Sequence, residues 1–330
     1  VDYVWSQTDE DGICRRGFHW GDWFDYRGEW DRIPAPVTNV ELIATAFLAY
    51  SSRLVSQAAR ILGREKEAAK YGALSERVKE AFAREFLTPA GRVGSGTQTS
   101  YVLALHFDLL PEEARPVAAR RLAEEVARAG YHLTTGFVGT PYLCHALSRF
   151  GQADVAYALL KQDTYPSWLY EVKLGATTIW ERWNAIKPDG EFQDPACNSF
   201  NHYAYGAIGE WLYRVVAGIE IDPEEPGYKH VIFQPQPGGG LTYAQAAIES
   251  PYGRVASSWE LAGGELRLRL ELPANTRGTL RLGGVPAESV KEGGAPLSGR
   301  EGIASARTEE GGCVIEFGSG VYEFAAPWGS

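Results

Sequence analysis

The chain has 330 residues, 45% hydrophobic and 22% charged, a composition that suits a globular protein with room for two cores. Its net charge of -10 excludes nucleic acid as a partner, because phosphate binding needs a basic surface. No apolar run approaches the roughly 20 residues of a membrane-spanning helix, so no membrane partner is expected.

The sequence opens Val1-Asp2-Tyr3-Val4-Trp5, contains no Met and begins with no signal peptide. The expectation is that a preceding segment is missing, and any targeting information with it. Thr38-Asn39-Val40-Glu41 has the form of a capping box. Behind it Ile43, Phe47, Tyr50, Leu54, Ala58 and Ile61 recur at helical spacing until Gly63. Leu74, Val78, Phe82 and Phe86 mark a second helix, and a third is predicted from about Thr99 to Leu110. Pro111 suits the first turn of a helix carrying Ala114, Ala118, Leu122 and Val126, which Gly130 closes. Thr140-Pro141 opens a helix to Phe150, and a short one follows with Val155, Ala156, Leu159 and Leu160. Phe200, Ala204, Ala207, Trp211 and Val215 predict one long final helix, capped by Asn198 or Ser199 and ended by Gly218. Such helices with short loops predict antiparallel hairpins; the period alone leaves bundle, solenoid and α/α barrel open.

From about residue 228 the period changes. Glu265 to Leu272 alternates strictly, and short β-rich runs appear at Val231–Phe233, Tyr252–Trp259, Thr279–Leu282, Cys313–Phe317 and Val321–Phe324. An antiparallel β-sandwich is predicted, in a supporting role. The polar, Pro-containing stretch Asp222 to Gly227 sets the expected domains at 1–221 and 222–330.

Chemistry is concentrated in two clusters of tryptophan and carboxylate. Trp20 and Trp23 flank Gly21-Asp22, and Trp180 and Trp183 flank Glu181-Arg182. An indole packs against the C–H face of a sugar ring and a carboxylate accepts from its hydroxyls, so sugar binding is the chemistry these suggest; the competing reading is that the rings are core. Glu181 is the foremost acid or base candidate, against a structural Glu–Arg pair with Arg182. His202 is a candidate for the edge of the site, against a buried His bonded to backbone. Asp22 is a third, against an Asx-turn residue, and His132 a fourth lining residue. Cys14, Cys144, Cys197 and Cys313 lack CxxC spacing, so no zinc site is expected and free thiols in a reducing, cytoplasmic setting are. No GxSxG elbow and no HExxH helix occurs, and the Gly238–Gly240 run precedes no helix, so neither a Ser triad, a metal nor a phosphate-binding cofactor is implied.

Gly175 to Trp183 (GATTIWERW) resembles the general-base segment of bacterial α-L-rhamnosidases. Trp20 to Trp23 (WGDW), Leu42 to Ser51 (LIATAFLAYS), Thr97 to Tyr101 (TQTSY), Leu133 to Leu143 (LTTGFVGTPYL), Tyr165 to Tyr170 (YPSWLY) and Asn198 to Gly218 (NSFNHYAYGAIGEWLYRVVAG) resemble that family in its order. The resemblance implies an (α/α)6 barrel followed by a β-sandwich, a glycosidase that removes terminal α-L-rhamnose with inversion, no cofactor, and a rhamnose-containing glycoside as partner. It implies Glu181 as general base, His202 in the sugar pocket, Trp23 and Trp180 as its walls, and Asp22 more weakly. The family's general-acid segment, of the form DxxxxxER, has no match here. About seven or eight helices are legible against the roughly 12 of a six-hairpin barrel. The expectation is an incomplete barrel, its first hairpins and acid absent, and a chain with little activity alone. Two rivals stand beside this: an α/α-barrel enzyme for another sugar, and a carbohydrate-binding fragment that associates with itself or with a complementing N-terminal chain.

Overall fold

The computed structural model describes residues 1–25, 37–187 and 189–329. The chain divides into two compact units, Val1–Ile208 and Gly209–Ser330.

The first unit is helical: α1 (Asp2–Trp5), α2 (Val40–Ile61), α3 (Glu65–Phe86), α4 (Gln98–His106), α5 (Arg115–Arg128), α6 (Thr140–Arg149), α7 (Ala153–Lys161) and α8 (Trp168–Lys173). α2 with α3, α4 with α5 and α6 with α7 pack as hairpins. The capping box works one residue later than its pattern suggests. Asn39 caps α2 by accepting the Leu42 N–H at 3.0 Å, while Thr38 is buried and bonds the Thr97 hydroxyl at 2.8 Å. The buried face of α2 is largely small: Ala46, Ala49, Ser52, Ser56 and Ala59 lie inward, whereas Leu54 and Ile61, expected on the apolar face, are exposed. Small residues let α3 approach closely enough for hydroxyls to bond across the hairpin. Ser56 donates to the Ala68 carbonyl at 2.7 Å and Ser75 to that of Ala49 at 2.9 Å. Val78 and Phe82 are fully buried beneath, each contributing about 1.5–3 kcal/mol by leaving water.

The long helix expected after Asn198 does not form. Residues 198–203 are irregular; a 3-10 turn (Ala204–Ala207), the single turn α9 (Ile208–Trp211) and a π-turn (Leu212–Val216) follow. The apolar spacing still buries Ala204, Trp211 and Val216. However, the backbone before Ala204 is committed elsewhere: the His202 N–H donates to the Ile179 carbonyl at 2.8 Å, and Gly206 and Gly209 weaken what remains.

The second unit is a nine-stranded sheet: β1 (Ile219–Ile221), β2 (His230–Phe233), β3 (Tyr243–Ser250), β4 (Gly253–Ala262), β5 (Glu265–Gly283), β6 (Lys291–Glu292), β7 (Ala295–Pro296), β8 (Ile303–Glu309) and β9 (Gly312–Pro327). Every pairing is antiparallel except β2 with β5, which is parallel. β5 and β9 are long and break register between Leu272 and Arg277. Phe317, before the break on β9, touches both Tyr322 and Phe324 beyond it (ring centroids 4.8 and 5.6 Å), so the pair folds over its own core as a sandwich requires. The sheet starts before the Asp222–Gly227 stretch, since Ile219 already pairs with Phe233. That stretch is a turn within the second unit, held by Asp222 on His230 Nδ1 at 2.6 Å and by Glu225 on Arg277. All four cysteines are free.

Candidate active site

Two irregular segments lie antiparallel in the first unit. The Glu181 N–H donates to the Ser199 carbonyl at 2.8 Å, and the His202 N–H to that of Ile179 at 2.8 Å. Thr178 adds a hydroxyl bond to the Phe200 carbonyl. This pairing sets Glu181 and His202 on neighbouring backbone. Glu181 is half-buried. Its Oε2 accepts the Ser199 N–H at 2.8 Å, while Oε1 makes no bond to a described residue and is left to accept from water. In His202, Nδ1 accepts the Ala204 N–H at 3.3 Å, so the ring carries a hydrogen on Nε2, which also has no described partner.

The His202 ring stacks on Phe137 at 4.8 Å; Phe137 meets Phe24 at 5.4 Å, and Phe24 meets Trp23 at 5.4 Å. A continuous row of rings therefore joins Trp23 to His202, far apart in sequence. The row exists because Asp22 ties the two loops together. Asp22 is fully buried and accepts four hydrogen bonds: from the Thr99 hydroxyl at 2.5 Å and the N–H groups of Gly136, Val138 and Gly139 at 2.9, 2.8 and 3.1 Å. Burial pushes its carboxyl above the ordinary carboxylate range, against the pull of the four donors. Gly136 is required at the crossing, because a Cβ there would lie 2.0 Å from the Trp23 carbonyl oxygen.

Glu181, His202 and half-buried Trp23 thus remain where a ligand reaches them. Four other expected site residues do not. Asp22 is a structural clamp with its lone pairs taken, not a sugar ligand. Trp180 is buried edge-on against Phe200, ring centroids 5.3 Å apart, and offers no face. Trp183 is fully buried, stacked on Tyr205 at 4.0 Å and edge-on to Trp168. His132 spends both ring nitrogens on the Ala129 carbonyl and the Thr164 hydroxyl, at 3.0 and 2.8 Å. The Glu181–Arg182 pair is not made: Arg182 is buried, bonds Asn184 Oδ1 at 2.8 Å and sits over the Phe24 ring at 5.4 Å. The backbone bends at both residues, and the two side chains part.

Two residues escape the sequence reading. Phe137, inside a recognised motif, is the ring under His202. Glu171 on α8 is 2% exposed, accepts the Trp180 N–H at 3.4 Å through Oε2, and has no described partner for Oε1. Burial pushes its carboxyl up to about 8, so near neutrality it is a neutral acid bonded to the residue before Glu181. Its one signal in the sequence is position: Glu171 follows buried Trp168 by three residues, on the same helix face. Among the described residues no group of three or more His, Cys, Asp or Glu is placed to hold a metal, and no helix is long and apolar enough to cross a membrane.

Residues 1–216 match the family model for the bacterial α-L-rhamnosidase six-hairpin glycosidase domain, and residues 218–295 that for the bacterial α-L-rhamnosidase C-terminal domain. An α-L-rhamnosidase of Streptomyces avermitilis is 40% identical over 314 residues, 95% of this chain and 28% of the relative. One of Formosa agariphila is 42% identical over 293 residues, 88% of this chain and 31% of the relative. Among solved structures, the Streptomyces avermitilis α-L-rhamnosidase complexed with L-rhamnose superposes with a TM-score of 0.87 at 38% identity, covering 98% of this chain and 29% of that one. An α-L-rhamnosidase from Dictyoglumus thermophilum gives 0.86 at 30% identity, covering 99% and 36%. The chain spans about three-tenths of the length of the curated relatives it matches. On its family models, its relatives and its fold, this chain belongs to the bacterial α-L-rhamnosidase family.

Proposed function

We propose that this chain takes part in hydrolysing terminal α-L-rhamnosides with inversion, with Glu181 as the general base and His202 and Trp23 lining the sugar site. The observation that carries the reading is the pairing of residues 179–181 with 199–202. It holds the Glu181 carboxylate by one oxygen, leaves the other without a described partner, and joins its segment to that of His202, whose Nε2 hydrogen is unspent. A half-bonded carboxylate of this kind is oriented yet still able to take a proton. The similar structure from Streptomyces avermitilis holds L-rhamnose, which supports a deoxysugar as the ligand.

Inversion needs a second carboxyl group to protonate the leaving oxygen, roughly 6.5–9.5 Å from the base with the sugar and a water between. Neither Asp22 nor Glu171 suits that role: the first is saturated by four donors, and the second is buried with the Trp180 N–H on it. On this proposal the acid comes from a segment outside these 330 residues, because the general-acid segment that the family resemblance implies has no match in this sequence. Calorimetry with L-rhamnose, and with glucose as control, tests the sugar site. L-rhamnose is expected to bind, glucose not, and His202→Ala to weaken binding about tenfold, the worth of one or two hydrogen bonds. An aryl α-L-rhamnoside should show negligible turnover with this chain alone. Brisk hydrolysis that persists in Glu181→Gln would remove the catalytic assignment.

A further inference from the structure

A groove of about 570 Å³ crosses one face of the sheet in the second unit. Strand register sets its lining in two rows. In the first, Tyr243 on β3 faces Glu260 on β4, which faces Arg267 on β5, which faces Ala325 on β9. In the second, Gln245 faces Ser258, Ser258 faces Arg269, and Arg269 faces Glu323. The rows are two residues apart on every strand, so both point to the same face. The intervening Trp259, Leu268 and Phe324 are buried. Ser258 and Ala325 are short among long neighbours, and Gly293-Gly294 lines the groove without side chains, pinned by the Gly293 N–H on the Glu323 carbonyl at 3.0 Å. A hollow of this size holds a ligand of a few sugar rings.

The charges limit what fits. Arg267, which donates to Glu265 at 2.9 Å, and Arg269 stand beside Glu260 and Glu323, so neither an anion nor a cation meets a surface of one sign. An apolar helix would bury four charged groups, of which Arg267 alone is hydrogen-bonded to a described side chain. A peptide strand adds at a sheet edge, here β3, whereas the groove runs over the face of β4, β5 and β9, each paired on both sides. A hydroxyl both donates and accepts, and cross-strand neighbours about 5 Å apart that alternate acceptor and donor match a row of vicinal hydroxyls. Glu260 and Glu323 make no side-chain hydrogen bond to a described residue, and Arg269 comes only within 3.9 Å of Glu271. Tyr243, 68% exposed at one end, offers a ring for the C–H face of a pyranose.

We propose that this sheet groove is a second carbohydrate site, for neutral oligosaccharide chains, independent of the helical site of Glu181. The test is NMR titration of the full chain with maltotriose, cellotriose and xylotriose, and with trigalacturonate as a charged control. At least one neutral trisaccharide should perturb the resonances of β3, β4, β5 and β9. Its affinity should fall about tenfold in Tyr243→Ala and in Arg269→Ala, and stay unchanged in Glu181→Gln. Both sheet substitutions are at exposed positions, and circular dichroism confirms that each folds. The proposal is overturned if no neutral trisaccharide binds, if trigalacturonate binds more tightly, or if binding survives both sheet substitutions. Loss in Glu181→Gln alone would place the sugar in the helical site and also overturn it, whereas failure of rhamnose binding at Glu181 leaves it standing.

Discussion

Replacing Glu171 by Gln should change how the helical unit responds to pH more than how it looks. In the folded chain burial holds the Glu171 proton up to about pH 8, while an ordinary Glu releases it near 4.5. Between those values the folded state binds more protons than the unfolded state, so stability falls as pH rises. The loss begins near pH 4.5, grows by about 1.36 kcal/mol per pH unit and levels off above pH 8, a total of about 5 kcal/mol. Local opening around α8 limits the loss to what that opening costs, so the expected range is about 3–5 kcal/mol. Glutamine keeps a carbonyl oxygen for the Trp180 N–H and stays neutral at every pH. Hydrogen exchange of the α8 and Trp180 amides at pH 5, 6.5 and 8.5, corrected for intrinsic rates, measures it. Wild type should lose protection against Glu171→Gln as pH rises, with the two nearly equal at pH 5. Parallel profiles would show that Glu171 is already ionised in the folded chain and that its burial does not govern its proton.

Asp22→Ala leaves three N–H groups, two of them buried, and the Thr99 hydroxyl without an acceptor, and should cost about 3–5 kcal/mol in denaturant unfolding, with Asp22→Asn less damaging. Gly136→Ala drives a methyl group into the Trp23 carbonyl and should cost more than about 3 kcal/mol; because it strains the loop crossing that Asp22 clamps, a double-mutant cycle with Asp22→Ala should be non-additive. Trp183→Ala removes a fully buried ring stacked on Tyr205 and should destabilise the helical unit by about 3–5 kcal/mol; retention of full stability together with lost sugar binding would return Trp183 to the sugar site.

The two tryptophan–carboxylate clusters show how adjacency misleads. Glu181 and Arg182 are neighbours in sequence, and a bend in the backbone leaves one half-buried and puts the other, buried, against the Phe24 ring. Trp180 and Trp183 resemble a sugar platform in the sequence and are core in the structure, while Trp23, equally flanked, keeps a partly open ring. Burial depth is not encoded in a residue and its neighbours; it follows from what packs on top.

Periodicity alone carried the helical hairpins, the later change to strands and the short strand runs, though not the first strand at Ile219–Ile221, because helices and strands repeat their local contacts and the repeat is written in the spacing of apolar residues. The motif at Glu181 and the position of His202 were legible in the same way, as strings. What only the tertiary structure decided was the meeting of those strings: the pairing of 179–181 with 199–202 in place of a capped helix, the Asp22 clamp on the Gly136–Gly139 loop, and the row of rings from Trp23 to His202. These are contacts between irregular segments distant in the chain. They have no period, and each forms only once the hairpins around it have fixed where both loops lie.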